Sequence, residues 1–371
     1  MEYTVAPHAS RLFSAAVYLG AGILNGAVLF FAWAAVGVNI LGWSAGFLAA
    51  VGVLLLTAAL LPRTEAGQLC GRWVTYIYAA QPILLWGAAA GTTALLLPVG
   101  TAGGIAALSA YLLALLTAVT GCVRAQRLTV THYRVPTKKS LPGGHLRIVQ
   151  LSDLHLGFVN DARLLARITR RTAALSPDLI CITGDTFEGG IRTMRDPAAM
   201  AQLLRKLQPR YGVYACLGNH DAGRQFPQML QFFYDAGVTL LRDESVRSAE
   251  GIFLAGRKDA TPGGRRDVRR ATAAELLQDA ADAYAILLDH QPGEEGEARA
   301  AGADLLLSGH THGGQFFPVG LFVTLRFPHM KGIRRRGDFC AVVSTGAGAG
   351  SPPLRLGSRG EIVCIDVFTN E

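Results

Sequence analysis

Charged residues are almost absent from the first third of the sequence. None occurs from residue 12 to 62 or from residue 73 to 123, and each of these runs is 51 residues long. A helical bundle in water needs polar faces toward the solvent, and these runs offer none, so a soluble helical domain is a poor interpretation. A cleaved signal peptide is excluded as well, because its apolar core would be much shorter than either run.

Disulfide-forming cysteine patterns are also absent. The six cysteines lie far apart, mostly inside apolar segments and without a Cys-x-x-Cys pair: Cys70, Cys122, Cys181, Cys216, Cys340 and Cys364. Such spacing predicts buried thiols in a reducing compartment.

The length of the uncharged runs predicts four membrane-spanning helices. A spanning helix needs about 20 apolar residues, so each run holds two spans and a turn rich in Gly and Pro. The predicted spans are 12–35, 43–61, 74–97 and 103–122. The flanking basic residues all fall on one side of this arrangement. By the positive-inside rule, this predicts a multi-pass protein of the cytoplasmic (inner) membrane with both termini and the C-terminal domain in the cytoplasm.

Charge returns after residue 123. Residues 1 to 122 contain three basic and two acidic side chains, whereas the remainder contains 32 and 25. This change predicts a transmembrane region over 1–123, a linker over 124–144 and a folded domain over 145–371. The basic surplus favours membrane lipids or phosphorylated molecules as partners. No nucleic acid is expected, because no stripe of Lys and Arg interleaved with aromatic residues occurs.

Short apolar runs alternate with amphipathic stretches after the linker, which predicts a layered α/β domain. The predicted strands are 146–151, 179–183, 213–217, 252–255, 285–288, 305–307, 341–344 and 362–367. The predicted helices are 161–175, 196–207 and 225–236. This pattern does not distinguish one doubly wound sheet from two separate sheets.

Five of the predicted strands run directly into residues that can bind metals or move protons. These residues are Asp153 and His155, then Asp185, then Asn219 and His220, then His290, and finally His310 and His312. Ligand sites of α/β sheets form at the carboxyl ends of strands, so the five loops are expected to converge. The mixture of carboxylate, amide oxygen and imidazole favours Mn, Fe or Zn over Ca or Mg.

The ordered motifs Asp-x-His, Gly-Asp, Gly-Asn-His-Asp, a lone His and Gly-His-x-His resemble those of the calcineurin-like metallophosphoesterase superfamily. The resemblance covers about residue 146 to the C-terminus. It is closest to a membrane-associated branch, through Leu288 to Pro292 and Gly309 to Gln315. That branch includes bacterial phosphodiesterases and resembles the UDP-2,3-diacylglucosamine pyrophosphatases. The resemblance implies a four-layer αββα sandwich, with two mixed sheets between helices.

The resemblance also implies seven ligands for two divalent ions, with Mn preferred over Fe or Zn. One ion would be held by Asp153, His155 and His312, the other by Asn219, His290 and His310, and both by Asp185.

Two further residues receive roles in catalysis from the same resemblance. His220 would be an acid near the scissile phosphate rather than a ligand. In some members of the family a carboxylate three residues after the bridging Asp orients this His, and here that position holds Glu188 where Asp is usual.

The combined expectation is a membrane-anchored phosphoesterase that hydrolyses a phosphodiester or pyrophosphate, with lipid-linked UDP-2,3-diacylglucosamine as the named substrate. The apolar stretch 316–327 would then receive an acyl chain, or else would form core or a strand pair. Basic residues within 265–270 and 331–336 would bind anionic groups or face solvent. The alternatives are a phosphodiesterase or phosphoprotein phosphatase acting on soluble substrates, and a non-catalytic membrane scaffold.

Overall fold

The computed structural model describes residues 101–157, 159–264, 269–316, 319–350 and 353–370. The predicted spans 12–35, 43–61 and 74–97 lie outside these residues. The fourth, 103–122, falls within helix α1 (Thr101–Ala125). Across the described ranges, no helix combines the length and the apolarity that crossing a bilayer requires. The multi-pass arrangement therefore stays a prediction.

Two mixed six-stranded sheets form the C-terminal part of the chain. The strands of sheet 1 are β1 (Leu128–Thr137), β2 (His145–Leu151), β3 (Leu179–Thr183), β4 (Val213–Cys216), β5 (Thr239–Leu240) and β12 (Gly360–Thr369), in the order β1-β12-β2-β3-β4-β5. Strands β2 to β5 are parallel, β12 runs antiparallel to β2, and β1 runs parallel to β12. Strand β1 lies within the predicted linker 124–144, so that segment is part of the sheet.

Sheet 2 has the order β10-β11-β9-β8-β7-β6. Its strands are β6 (Glu244–Ala249), β7 (Ile252–Gly256), β8 (Tyr284–Leu288), β9 (Leu305–Ser308), β10 (Gly332–Arg336) and β11 (Phe339–Val343). Its four central strands are parallel, and the edge strands β6 and β10 are antiparallel to their neighbours. The predicted α/β domain is confirmed, and it contains two sheets rather than one.

The described helices of this domain are α2 (Ala162–Ala174), α3 (Pro197–Arg205), α4 (Phe226–Asp235), α5 (Ala273–Leu277), α6 (Glu295–Ala300) and α7 (Val319–Arg326). Helices α2, α3 and α5 begin at side-chain caps. Asp161 accepts hydrogen bonds from the first backbone N–H groups of α2, and Asp196 caps α3 ahead of a proline. Thr272 and Glu275 form a reciprocal capping box at α5. The three predicted helices are present, each shorter by one or two residues at its ends.

Three apolar cores separate the layers of the domain. Strand β2 illustrates the two-residue period: Leu146 and Ile148 pack between the sheets, whereas Val149 and Leu151 pack under α2, α3 and α4. A third core lies between sheet 2 and helices α5 and α6. Because both faces of the central strands are buried, these strands are continuous apolar runs in the sequence.

The described cysteines are free thiols. Cys181, Cys216, Cys340 and Cys364 are buried within strands, and Cys122 is partly buried in α1. Burial raises the pKa of the Cys364 thiol to about 11 and also raises the pKa of Cys181, Cys216 and Cys340. These four thiols are therefore protonated at neutral pH, and their predicted burial is confirmed.

Candidate metal centre

The carboxyl ends of strands from both sheets meet at one place. Asp153 follows β2 and Asp185 follows β3 in sheet 1, while His290 follows β8 and His312 follows β9 in sheet 2. The Nε2 atom of His290 lies 3.2 Å from the Oδ2 atom of Asp185. The Nε2 atom of His312 lies 3.4 Å from the Oδ1 atom of Asp153. The motifs that the sequence predicts to converge therefore touch across the gap between the sheets.

The first cluster consists of Asp153, His155 and His312, whose potential ligand atoms lie within 4.8 Å of one another. The Nε2 atoms of the two histidines are 3.1 Å apart. The His155 Nε2 atom is 3.9 Å from the Oδ1 atom of Asp153. Two ring nitrogens and a carboxylate oxygen thus face a common point.

The second cluster consists of Asp185, His290 and His310, again within 4.8 Å. The rings of the two histidines are 5.1 Å apart and nearly perpendicular. The Nδ1 atom of His290 lies 2.8 Å from the backbone oxygen of Thr183, which makes this nitrogen the protonated one. The Nε2 atom of His290 is consequently free to bind a cation.

Asp185 contacts both clusters. Its Oδ2 atom lies 3.2 Å from His290 and 3.7 Å from His155, and its Oδ1 atom accepts a hydrogen bond of 2.8 Å from the backbone N–H of His220. The neighbouring Asn219 has a buried side-chain oxygen that accepts no hydrogen bond from any described residue. Buried polar atoms are normally satisfied, and a cation would satisfy this one. The donor set therefore fits a pair of divalent ions.

The backbone is strained at the same residues. Five residues of the two clusters have positive φ angles: Asp153 (50°), His155 (44°), Asp185 (48°), His310 (69°) and His312 (50°). Only four other described non-glycine residues share this conformation. It costs on the order of 1–3 kcal/mol per residue, so its concentration here is typical of a functional site.

Two glycines allow the loops to approach this closely. A Cβ atom at Gly309 would lie 1.9 Å from the Oγ atom of Ser152 and 2.3 Å from an oxygen of Asp153. A Cβ atom at Gly218 would lie 2.2 Å from the backbone nitrogen and a carboxylate oxygen of Asp185. Any larger residue at either position would displace a carboxylate of the site.

The charges of the buried ionisable groups in the site are only partly balanced by one another. Burial opposes ionisation of Asp185, but the imidazole of His290 holds the pKa of that carboxyl well below its ordinary value. Burial lowers the pKa of His310 to about 3, and the neighbouring His290 contributes. Burial also disfavours protonated His155, yet the Glu188 carboxylate raises the pKa of this residue to about 9. Protons on imidazoles thus balance charge that a metal ion would otherwise balance.

Glu188 pairs with His155. Its Oε2 atom lies 2.5 Å from the Nδ1 atom of His155. The resemblance implies an orienting role toward His220 instead, and the three side chains do form one group within 4.8 Å. His220 is exposed, and its ring is 5.0 Å from that of His155. The carboxylate is therefore placed to fix the ring of His155, with His220 beside them.

Arg355 is a site residue that the sequence analysis does not identify. It is fully buried, lies 3.3 Å from the Nδ1 atom of His312, and donates to the backbone oxygens of Thr345 and Gly348 at 2.7 and 2.5 Å. The loop it holds is hydrogen-bonded to the backbone of the first cluster, because the Gly348 N–H donates to the backbone oxygen of Asp153 at 2.9 Å. The available signal was the alternating glycines of residues 346–350, followed by an arginine.

Most of the described part of the apolar stretch 316–327 is neither core nor a strand pair. It contains helix α7, on which Leu321, Phe322 and Leu325 are exposed by 59%, 68% and 82%. Phe327 at its end is buried, and its ring lies 5.3 Å from that of His310. An exposed apolar helix thus stands next to the second cluster.

The two predicted basic clusters contain arginines that are already paired with carboxylates, which leaves less positive charge available for a ligand. Arg334 pairs with Glu295 at 3.3 Å, and Arg270 pairs with Asp289 at 3.0 Å. Residues 265–268 lie outside the described residues.

The matching protein family and the curated relatives agree with these motifs. The family described as calcineurin-like phosphoesterase matches residues 146–314. An uncharacterized metallophosphoesterase of Aquifex aeolicus is 36% identical over 245 residues, which are 65% of this chain and 92% of that protein. A transmembrane protein with metallophosphoesterase domain from Danio rerio is 33% identical over 268 residues, which are 67% of this chain but only 59% of that protein. Among solved structures, the NAD nucleotidase of Haemophilus influenzae has a TM-score of 0.37 at 14% identity, covering 55% of this chain and 46% of that chain.

Proposed function

The chain belongs to the calcineurin-like phosphoesterase family, and on that premise we propose that it is a membrane-anchored, two-metal enzyme that hydrolyses a phosphodiester or pyrophosphate bond. The observation that carries this proposal is the position of Asp185, whose carboxylate contacts a histidine of each cluster. Such a carboxylate, between two groups of donors, is the arrangement that a dinuclear site requires.

The seven donors divide into two sets. Asp153, His155 and His312 would hold one ion, Asn219, His290 and His310 the other, and Asp185 both. Imidazole and oxygen donors together favour Mn, Fe or Zn, and we propose Mn. When bound, the ions supply positive charge to the phosphoryl oxygens and lower the pKa of a water molecule.

The chain's own residues supply orientation and a proton. Glu188 would keep the proton of His155 on Nδ1, so that Nε2 faces the metal. His220, exposed beside the first cluster, would donate a proton to the leaving oxygen or a hydrogen bond to the phosphoryl group. Asp153, Asp185 and His290 are buried, whereas Asn219, His310 and His312 are half-buried and face the open side of the site.

A lipid-linked substrate such as UDP-2,3-diacylglucosamine is the finer proposal. It is supported by the exposed leucines and phenylalanine of α7, which adjoin the second cluster through Phe327. Contiguous apolar surface of this kind marks an interaction with lipid or with a partner. The uncharged runs of residues 12–62 and 73–123 support a location at the cytoplasmic face of the inner membrane.

The proposed substrate is tested by comparing the hydrolysis rates of an acylated and a deacylated UDP-sugar. The enzyme is the full chain, solubilised in detergent and loaded with Mn. We expect hydrolysis of the acylated compound to exceed that of the other by about tenfold or more, because buried acyl methylenes contribute about 0.8 kcal/mol each. Leu325→Ser should reduce this preference, and Tyr234→Ser, which alters an exposed aromatic residue on α4, is the matched control. Equal rates on both compounds would favour the soluble-substrate alternative, and protein purified without metal would favour the scaffold.

A further inference from the structure

Five arginines from separate parts of the chain line one surface cavity of about 510 Å³. We call this cavity the arginine pocket; its arginines are Arg124, Arg127, Arg167, Arg171 and Arg359. The first ends helix α1, two come from α2, and the others directly precede β1 and β12. The other lining residues are uncharged, so the pocket has a single sign of charge.

The five arginines are exposed, and what distinguishes them from the other exposed arginines is that they share one cavity whose lining contains no acidic residue. The half-buried Arg147, by contrast, pairs with Asp366 at 2.7 Å. Within the described ranges, no carboxylate forms an ion pair with any arginine of the pocket. Arg171 donates to the backbone oxygen of Leu128, and Arg167 lies 3.4 Å from the side-chain oxygen of Gln126. Neutral acceptors thus orient two side chains but leave the positive charge uncompensated.

Bringing like charges together is unfavourable unless an anion joins them. Guanidinium groups bind phosphate through paired, parallel N–H donors, a geometry that neither lysine nor a neutral side chain reproduces. A concave site lined by several such groups is therefore suited to an anionic group such as phosphate and repels a cation.

The strand register places the arginine pocket near the metal centre. Leu128 of β1 is paired with Gly360 of β12, and β12 runs antiparallel to β2. The amino ends of β1 and β12 therefore lie at the same edge of sheet 1 as the carboxyl end of β2, which leads into Asp153. Two strand spacings separate β1 from β2, or about 10 Å. The pocket nevertheless shares no residue with the two donor clusters.

We propose that the arginine pocket is a second phosphate-binding site, separate from the metal centre. Its ligand is a phosphate group, supplied either by the headgroup of an acidic phospholipid or by a soluble molecule that contains a phosphate. The assignment goes beyond the proposed hydrolysis and does not depend on it, because binding is measured without turnover.

Isothermal titration calorimetry of the full chain in a neutral detergent tests the proposal. The soluble probe is methylenediphosphonate, which is not hydrolysed, and the lipid probe is dihexanoyl phosphatidylglycerol, with dihexanoyl phosphatidylcholine as the uncharged comparison. The test variant is R127Q/R167Q/R359Q. The control variant R195Q/R210Q/R299Q removes the same charge from three exposed arginines outside the pocket. Binding at the metal centre is common to all three proteins and cancels in the comparison.

We expect the test variant to bind at least one anionic probe about tenfold or more weakly than the parent, while the control variant binds like the parent. A loss confined to phosphatidylglycerol identifies a lipid headgroup as the source, and a loss that includes methylenediphosphonate identifies soluble phosphate. R127K/R167K/R359K, which keeps the charge but not the paired donors, should fall between parent and test variant. Equal affinities in the parent and the test variant would overturn the proposal, and so would equal losses in the test and control variants.

Discussion

Two neighbouring groups of buried acids in this domain are neutralised in opposite ways. Asp289 contacts Arg257 at 3.2 Å and Arg270 at 3.0 Å, and Glu294 and Glu297 complete a network of arginines and carboxylates. The next residue in the chain, His290, belongs to the candidate metal centre. There, among the described residues, Asp153 and Asp185 have imidazoles but no Lys or Arg within ion-pair distance.

The kind of cation that lies beside buried carboxylates separates a structural cluster of charges from a functional one. In the network around Arg257, which is 3% exposed, the chain itself supplies the compensating cations. In the metal centre it supplies donors, imidazole protons, strained backbone and an amide oxygen that accepts no hydrogen bond from a described residue, so that bound ions would complete the compensation. The experiments below should affect metal content in one cluster and unfolding free energy in the other.

Asp185→Asn should have the largest effect. Because this carboxylate contacts both clusters, the variant should lose both metal ions, and hydrolysis of a chromogenic phosphodiester should fall to about a thousandth of the parental rate or less. Metal analysis and initial rates measure both effects. Glu297→Gln in the arginine network is the matched control and should keep metal and activity. A parental rate in Asp185→Asn would contradict the bridging role.

His220→Ala should separate chemistry from metal binding. If His220 is an acid rather than a ligand, turnover should fall by about 10²- to 10³-fold, while metal content stays near that of the parent. The two quantities are compared on the same preparation. Loss of metal together with turnover would refute the assignment of His220 as a non-ligand.

Arg257→Met should destabilise the fold without affecting the metal. Removal of this guanidinium leaves Asp289 buried beside fewer cations, and the unfolding free energy should fall by about 3–5 kcal/mol. Denaturant unfolding, with and without a chelator, should give the same decrease. Arg334→Met breaks the more exposed pair with Glu295 and should cost about 1 kcal/mol or less. Equal decreases in unfolding free energy for the two substitutions would show that burial does not make the network around Arg257 more important for stability than an exposed ion pair.

Glu188→Gln should have the smallest effect, on metal affinity. Loss of a carboxylate that fixes a ligand histidine weakens metal binding by about 10- to 100-fold. Apparent Mn dissociation constants, measured from pH 6 to about pH 9, are the readout. Asp338→Asn, an exposed carboxylate in an ion pair with Lys138, is the control and should bind Mn like the parent.

The sign of the pH dependence follows from His155. Burial opposes its protonation, but Glu188 raises its pKa to about 9 in the metal-free chain. Its contribution to metal-free stability is complete below about pH 6.5 and is lost as the pH rises through the folded value. Metal binding must displace this proton, so affinity should rise with pH toward 9, and Glu188→Gln should shift that rise to lower pH. An unshifted pH profile would contradict the contact between Glu188 and His155 in solution.

The predicted strands follow from local patterns. All eight are present, with ends displaced by at most two residues, because a strand buried on both faces is a continuous apolar run. Strand β1 was predicted as linker because it lacks such a continuous apolar run. Its residues are mostly half-buried at the edge of sheet 1, and its partner β12 lies more than 200 residues later in the chain.

The amino-acid sequence by itself determined which donors follow which strands, because a motif and the strand before it are contiguous in the chain. The strand pattern left one sheet or two open, and the tertiary structure has the two sheets that the motif resemblance implies. Tertiary structure alone decided that Glu188 contacts His155, that Arg355 holds the loop beside His312, and that five arginines share one cavity. The physical reason is the distance along the chain over which each kind of interaction acts. Apolar periodicity and turn chemistry act over a few residues, whereas pairing between charges and strands distant in the chain depends on how the layers pack.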